Sequence, residues 1–129
     1  MLAIDTNILI RYLVADDARQ AAKARSLIDN NDIFVATTVL LESEWVLRGV
    51  YGFSSDQRAK ALGDFAGLPR VTLENPKVAA KALSWIARGV DFADGLHLAA
   101  AEGCDAFVSF DREFAKLANS LGSIGVRAP

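Results

Sequence analysis

Four acidic residues occupy positions from which their side chains could hold a metal ion. Asp5 follows the apolar run "MLAI" and Asp111 follows "DAFVSF", while Asp94 lies near the start of "DFADGLHLAAAEG" and Glu42 lies within "TVLLESEWVLRGV". An aspartate at the start of a helix also has an ordinary role, because its carboxylate accepts a hydrogen bond from a backbone N–H of the first turn. That role is an open explanation for each of the three aspartates considered singly.

Glu42 gives the strongest indication of chemistry. Val39 and Val46 lie three residues before it and four after it, so a helix would place Glu42 on an apolar stripe facing the core. A carboxylate is costly to bury unless something pairs with it, and no lysine or arginine lies one turn away on that stripe. A metal ion, a basic partner or a water-lined cleft would each satisfy it. Glu44 is expected to point elsewhere, as an ordinary surface charge.

Helix capping accounts for the presence of an aspartate better at some of the predicted helix starts than at others. Thr6 or Asn7 could cap the first helix as well as Asp5 could, so capping does not require Asp5. On "DFADGLHLAAAEG", Asp91 is the natural N-cap and Asp94 the third helical residue. Both carboxylates favour the positive end of that helix, and a purely capping account of this pair stays open.

The elements that must position these acids alternate along the chain. Predicted strands are the short apolar or β-branched runs "MLAI", "DIFVATT", "RVTLE", "DAFVSF" and "IGVRA". Predicted helices are "ILIRYLV", "DDARQAAKARSLIDNN", "TVLLESEWVLRGVYG", "RAKALGDFAG", "KVAAKALSWIARG", "DFADGLHLAAAEG" and "REFAKLANSLG". Ser54 with Gln57 forms a capping-box pattern, and Asn75 with Pro76 marks another helix start. This order predicts an α/β fold: one domain, residues 1–129, forming a three-layer α/β/α sandwich with a mainly parallel central sheet.

In such sheets, ligands bind beyond the carboxyl ends of the strands. The four acids fall at strand ends or near helix starts, and four carboxylates in one cleft would repel one another without cations. Oxygen ligands of this kind suit Mg²⁺ or Mn²⁺, and the clustered histidines or cysteines of a zinc site are absent. His97 lies one turn beyond Asp94. We expect it to be partly buried and hydrogen-bonded, with an indirect role beside the metal ligands as the alternative.

Composition narrows the class of protein. The chain has 129 residues, 52% hydrophobic and 23% charged, with a net charge of -2, which is typical of a globular domain without a general attraction for nucleic acid. No apolar run is long enough to cross a membrane. The single cysteine, Cys104, excludes an internal disulfide and is expected to be a small buried side chain. With no signal-peptide pattern at the start, we expect a cytoplasmic protein.

Four segments together resemble a known family. "AIDTNILIRYL", "TTVLLESEWVLRGVYG", "DFADGLHLAAA" and "FVSFDREFAKL" are similar in order and spacing to the motifs of PIN domains, specifically of VapC-type toxins. The resemblance covers nearly the whole chain. It implies a ribonuclease whose acidic quartet binds Mg²⁺ or Mn²⁺, and the quartet maps onto Asp5, Glu42, Asp94 and Asp111. It also implies inhibition by a small VapB-type antitoxin and a homodimer.

The resemblance further implies supporting residues. Thr6 or Asn7 and Ser109 fall where the family keeps small polar residues that orient the carboxylates, and Asp91 is an additional acid beside them. Three arginines near the motifs are candidates to hold RNA phosphates, since guanidinium suits phosphate geometry, and solvated surface charge is their alternative. They are Arg11, Arg48 and Arg112.

Three other classes of protein compete with this interpretation. A phosphorelay receiver is also a small Mg²⁺-binding α/β domain, but it needs an aspartate after a mid-chain strand, where this chain has "LENP", and a lysine where "FVSFD" gives an aspartate. An aspartyl-nucleophile phosphatase needs two aspartates two apart after the first strand, and "DTN" has one. A non-catalytic PIN-type binding module would have lost acids, whereas all four are present.

Overall fold

The structure is a computed structural model that describes residues 1–129. Five strands and seven helices alternate along the chain. The strands are β1 (Leu2–Ala3), β2 (Ile33–Val35), β3 (Val71–Leu73), β4 (Phe107–Val108) and β5 (Val126–Arg127). The helices are α1 (Thr6–Leu13), α2 (Ala18–Asp29), α3 (Thr37–Gly49), α4 (Ser55–Ala66), α5 (Pro76–Ile86), α6 (Phe92–Ala100) and α7 (Arg112–Asn119).

The chain divides into two units, an N-terminal unit (Met1–Pro76) and a C-terminal unit (Lys77–Pro129). In the N-terminal unit three parallel strands pair in the order β1-β2-β3, and in the C-terminal unit β4 pairs with β5, also in parallel. Parallel neighbours require a crossover connection, and here each crossover contains one or two helices. The predicted α/β class with parallel strands is therefore confirmed.

The core of the N-terminal unit forms because apolar residues recur at helical spacing. On α2 the buried positions are Ala21, Ala24 and Ile28, which recur every three or four residues. Helix α1 packs on α2 and on α3, and α4 packs on α3 and β3. The ring edge of Tyr12 meets the ring of Phe65 with centroids 5.6 Å apart. This packing fixes α1 and α3, the helices that carry the N-terminal acids.

The predicted helix boundaries in the N-terminal unit rest on specific hydrogen bonds. Ser54 and Gln57 form the predicted capping box at the start of α4. Helix α3 has no side-chain cap from its own N-cap residue; instead, its Thr37 N–H donates to Glu74 Oε1 at 3.0 Å. Gly52 follows α3 with φ +66°, in the left-handed region that glycine adopts without a steric cost.

In the C-terminal unit a separate cluster of apolar side chains holds α5, α6 and α7 together. Its buried members are Trp85, Val90, Leu98, Ala99, Phe114, Ala118 and Val126. Gly95 on α6 faces α5 closely: a Cβ there would lie 3.3 Å from both Cα and Cβ of Ala82 and 3.6 Å from Cε3 of Trp85. The absence of a side chain at Gly95 is therefore what lets α6 approach α5 to this distance.

Two further observations concern exposure. Cys104 is exposed, so the prediction of a buried thiol is wrong; it lies after the end of α6, outside the apolar cluster. None of the seven helices combines the length and the apolar character that crossing a bilayer would require.

Candidate functional site

Asp5 is positioned by the end of β1 and the start of α1. Its backbone is extended, which makes it the N-cap residue, and its Oδ1 accepts a hydrogen bond from the Ile8 N–H at 3.1 Å. Of the three residues that could cap this helix, Asp5 therefore does so, and Thr6 and Asn7 lie within its first turn. Capping occupies one oxygen of the exposed Asp5 carboxylate, and Oδ2 accepts no hydrogen bond.

Glu42 lies on α3 beside the first turn of α1. The buried Thr6 hydroxyl donates a hydrogen bond to Glu42 Oε1. Thr6 therefore orients this carboxylate, which agrees with the role that the resemblance implied for a small polar residue here. Asn7 is exposed and lies one position further along α1, where it lines a cavity described below. The N-terminal unit thus supplies Asp5 and Glu42 from two helices linked by one hydroxyl.

The predicted burial of the two α3 glutamates is reversed. Glu42 is exposed, whereas Glu44 is 1% exposed and forms ion pairs with Arg58 at 3.3 Å and Arg48 at 3.7 Å. The buried stripe of α3 consists of Leu40, Ser43, Glu44 and Leu47 rather than of the stripe through Val39 and Val46. Glu44 is tolerated in the core because two arginines compensate its charge.

In the C-terminal unit, two aspartates act as helix caps. Asp91 is the N-cap of α6, and its Oδ2 accepts from the Asp94 N–H at 3.2 Å, as predicted. Asp111 is the N-cap of α7, and its Oδ1 accepts from the Phe114 N–H at 2.9 Å. Ser109 shapes the turn before α7, since its hydroxyl accepts from the Asp111 N–H at 3.0 Å. The capping explanation is thus true of both residues, and it does not account for Asp94.

Asp94 opens onto a small cavity of about 190 Å³ with a strongly acidic lining. The lining residues are Gly89, Val90, Asp91, Asp94, Asp111, Glu113, Phe114 and Leu117. Burial raises the pKa of Asp94, and the negative charges of Asp91 and Asp111 raise it further, while His97 acts in the opposite direction. The Asp94 carboxylate accepts no hydrogen bond and forms no ion pair. Its charged form is therefore held among like charges, an environment that a bound cation would relieve.

His97 is exposed on α6, so the prediction of a partly buried histidine is wrong. Its neighbours in sequence, Leu96 and Leu98, take the buried positions of that turn. His97 is nevertheless near enough for its charge to favour the ionised form of Asp94. An indirect effect on the acidic cavity is the role that this placement allows.

The three candidate arginines differ in what already holds them. Arg11 donates to Gln20 at 2.6 Å, to Asp16 at 3.0 Å and to the Tyr51 hydroxyl at 3.3 Å. Arg48 is paired with Glu44. Arg112 is exposed at the start of α7, directly after Asp111, and makes no hydrogen bond or ion pair. Arg112 is therefore the one of the three whose guanidinium is available to a phosphate.

Sequence reasoning missed two residues beside the candidate acids. Glu113 lines the acidic cavity from the first turn of α7, and its position two residues after Asp111 was the signal. Lys23 lies with Asp5, Asn7 and Arg11 around a cavity of about 600 Å³ in the N-terminal unit. Its signal was its place on the polar side of α2, one turn from Gln20.

Both units supply oxygen ligands, but in neither unit do three or more acidic, histidine or cysteine side chains lie close enough to one another to hold a metal ion. Asp5 and Glu42 belong to the N-terminal unit, and Asp94 and Asp111 to the C-terminal unit. The donor set of carboxylates and hydroxyls is the chemistry that Mg²⁺ and Mn²⁺ prefer. In donor type, the residues fit such an ion.

Comparison with known proteins gives one family. The family model described as PIN domain matches residues 2–120. A search of curated proteins found no match. Among solved structures, the chain is similar to VapC20 of Mycobacterium tuberculosis, a toxin that cleaves the sarcin–ricin loop, with 22% identity and a TM-score of 0.45 over 98% of this chain and 99% of that one.

Proposed function

Because the chain belongs to the PIN domain family, we propose that it is a metal-dependent endoribonuclease, the VapC-type toxin of a toxin–antitoxin pair. The observation that carries the proposal is the environment of Asp94, whose carboxylate lines an acidic cavity with Asp91 and Asp111 and has no basic partner in an ion pair. Carboxylates that serve only the fold are usually compensated, as Glu44 is. An uncompensated group of this kind supports a cation site.

In this proposal Asp5, Glu42, Asp94 and Asp111 are the carboxylates that hold Mg²⁺ or Mn²⁺. A divalent cation held by them would screen the charge that develops on a phosphodiester and would lower the pKa of a nearby water molecule. Thr6 holds Glu42 in one orientation through its hydroxyl. Ser109 fixes the turn that presents Asp111. Asp91 caps α6 and adds negative charge beside Asp94, and His97 moderates that charge.

Phosphate binding is assigned to Arg112 first. It follows Asp111 on the chain, and no internal partner holds it. Arg11 and Arg48 are held by Asp16 and Glu44, so a phosphate would have to compete with those carboxylates. We therefore propose that Arg112 contacts the RNA backbone, and that the other two arginines act mainly by stabilising the fold.

The proposal includes a cognate VapB-type antitoxin and a homodimer, with residues 1–129 acting as one PIN domain. Apolar side chains near the end of α3 support a covered surface: Trp45 is 48% exposed and Val50 is 73% exposed. Exposed apolar groups of this size favour contact with another chain. The lone Cys104 is compatible with a reducing cytoplasm, where we place the protein.

The test is RNA cleavage with and without metal. Purified protein is expected to cut structured RNA in Mg²⁺ or Mn²⁺, and excess EDTA is expected to stop cleavage. Asp94→Asn should abolish most of the activity, whereas Asp105→Asn, which changes an exposed aspartate outside the acidic cavity, should not. Undiminished cleavage in chelator would reject the metal mechanism.

The alternatives give different outcomes in the same experiment. A non-catalytic PIN-type module would bind RNA or a partner without cutting it in any metal. The receiver-domain interpretation has lost its support, because the chain belongs to another family. Labelling of an aspartate by acetyl phosphate would be required to restore it.

A further inference from the structure

A second cavity, separate from the acidic one, lies between α1 and α2 in the N-terminal unit. It measures about 600 Å³, within the range of small-molecule sites. On α2 its lining residues Gln20, Lys23, Ala24 and Leu27 recur at helical spacing, and on α1 they are Asn7, Ile8 and Arg11. The cavity is therefore the seam between two helix faces, and Asp5 stands at the end of it where α1 begins.

Besides the Asp5 carboxylate at its end, the lining combines three kinds of group. Ile8, Ala24 and Leu27 form an apolar part, Asn7 and Gln20 supply amides that donate and accept hydrogen bonds, and the cations are Lys23 and Arg11. A ligand that matches this set has a flat apolar body, a polar edge and a negative end. One nucleotide of an RNA chain has all three.

The two cations are not equivalent. Arg11 is engaged by Asp16, Gln20 and the Tyr51 hydroxyl, and the hydrogen bond that it donates to Tyr51, together with the Asp16 charge, raises the pKa of Arg11. Lys23 is exposed and makes no hydrogen bond or ion pair. An ammonium group without a partner at the rim of a cavity is free to bind a phosphate, whereas the guanidinium is held in place as part of the wall.

We infer that this cavity binds one nucleotide of the RNA substrate, with its phosphate on Lys23 and its base against Ile8 and Leu27. The inference rests on the proposed ribonuclease function and adds a substrate-positioning residue to it. Lys23 takes over the phosphate contact that the sequence had suggested for Arg11. Arg11 acts through the wall of the cavity, by tying α1 to α2 and to Tyr51.

The salt dependence of RNA binding tests the inference. The probe is a short fluorescein-labelled single-stranded RNA, and the protein carries Asp94→Asn so that the RNA stays intact during titration. Anisotropy titrations over a series of KCl concentrations give the slope of log K against log[KCl]. Adding Lys23→Gln is expected to weaken binding and to reduce that slope by about 0.7, the contribution of one phosphate contact on a single strand.

Two further variants separate charge from packing. Lys60→Gln removes a lysine that is 79% exposed on α4, outside the cavity, and should leave both affinity and slope unchanged. Leu27→Ser removes part of the apolar lining and should weaken binding without changing the slope. An effect of Lys60→Gln equal to that of Lys23→Gln would overturn the assignment, because the contact would then be nonspecific.

The remaining outcomes distinguish this inference from the proposed function. If the wild-type protein cleaves RNA but Lys23→Gln changes neither affinity nor slope, the nucleotide site is wrong and the ribonuclease proposal stands. If Lys23→Gln spares RNA binding but weakens binding of the protein product of the adjacent gene, the cavity is a protein-docking site and the inference is overturned. If the wild-type protein neither binds nor cuts RNA, both proposals fall.

Discussion

The most buried carboxylates of the two units, Glu44 and Asp94, differ in how their charge is compensated. In the N-terminal unit, Glu42 accepts from Thr6, and Glu44 is paired with Arg58 and Arg48. In the C-terminal unit, Asp94 faces the negative charges of Asp91 and Asp111, with His97 acting in the opposite direction, and its carboxylate accepts no hydrogen bond and forms no ion pair. The most buried carboxylate of the chain is therefore a compensated one. Burial alone therefore does not identify a functional acid. Whether a basic group pairs with the carboxylate is the more informative criterion.

The largest expected effect in this comparison is the fall in the RNA cleavage rate of the Glu42→Gln variant. We expect the cleavage rate to fall by two or more orders of magnitude, about 3 kcal/mol or more in the activation barrier, because a proposed metal ligand loses its charge. The free energy of unfolding should change by less than about 0.5 kcal/mol, since the side chain is exposed. Initial rates and urea denaturation curves on the same preparation measure both. An active variant would remove Glu42 from the site.

Glu44→Gln should give the opposite result two residues along the same helix. Removing the charge leaves the Arg58 guanidinium without a carboxylate partner, and breaking a buried ion pair in this way costs about 3 kcal/mol of stability. We take the lower end of the usual range because the Arg48 side chain is 42% exposed and keeps its water. The rate per folded molecule should be unchanged. An unaltered urea midpoint would show that the pair contributes little.

The stabilisation by Mg²⁺ should differ between the wild type and Asp94→Asn, because no ion pair compensates the charge of the Asp94 carboxylate. Mg²⁺ at one hundred times its dissociation constant is expected to stabilise the wild-type protein by about 2.7 kcal/mol. Asp94→Asn should gain much less, whereas Asp105→Asn should gain as much as the wild type. Melting temperatures in EDTA and in Mg²⁺ give the comparison. Equal Mg²⁺ responses in all three proteins would remove Asp94 from the ligand set.

The smallest effect is on the pH dependence of the metal-free protein. The pKa of Asp94 in the folded state is raised above its ordinary value of 3.8, so folding favours the protonated carboxyl. The stability that this group contributes is fully present below pH 3.8 and is lost as the pH rises through the folded-state pKa. In EDTA, the melting temperature of the wild type should therefore fall relative to Asp94→Asn as the pH rises through that window. A constant difference between the two would contradict the environment described for Asp94.

The alternation of strands and helices was predictable because it depends on local signals. The Ser54–Gln57 capping box, the position of Asp91 as a cap and the buried face of α2 all follow from residues within one or two turns of each other. Parallel pairing followed from the same alternation. Local patterns of this kind were sufficient to place Asp94 in the first turn of α6.

The burial of the α3 glutamates was not predictable from local signals. Apolar residues occupy three adjacent stripes of that helix, so periodicity does not select the buried one. The choice is made by packing against α1 and α4 and by Arg58, a partner fourteen residues from Glu44. The acidic lining by Glu113 and the partners of Arg11 likewise depend on contacts between elements. Pairings across the fold decide which charges are compensated, and a single sequence does not display them.

Gly95 sets how closely α6, the helix that carries Asp94, approaches α5. A Cβ at Gly95, the residue directly after Asp94, would lie 3.3 Å from both Cα and Cβ of Ala82, so the spacing of α6 and α5 at this point depends on the missing side chain. Neither of these Ala82 atoms can move away by a change of rotamer. A methyl group added at Gly95 would therefore have to be accommodated by a shift of α6 relative to α5. Because Asp94 directly precedes Gly95 on α6, its carboxylate would move with the helix.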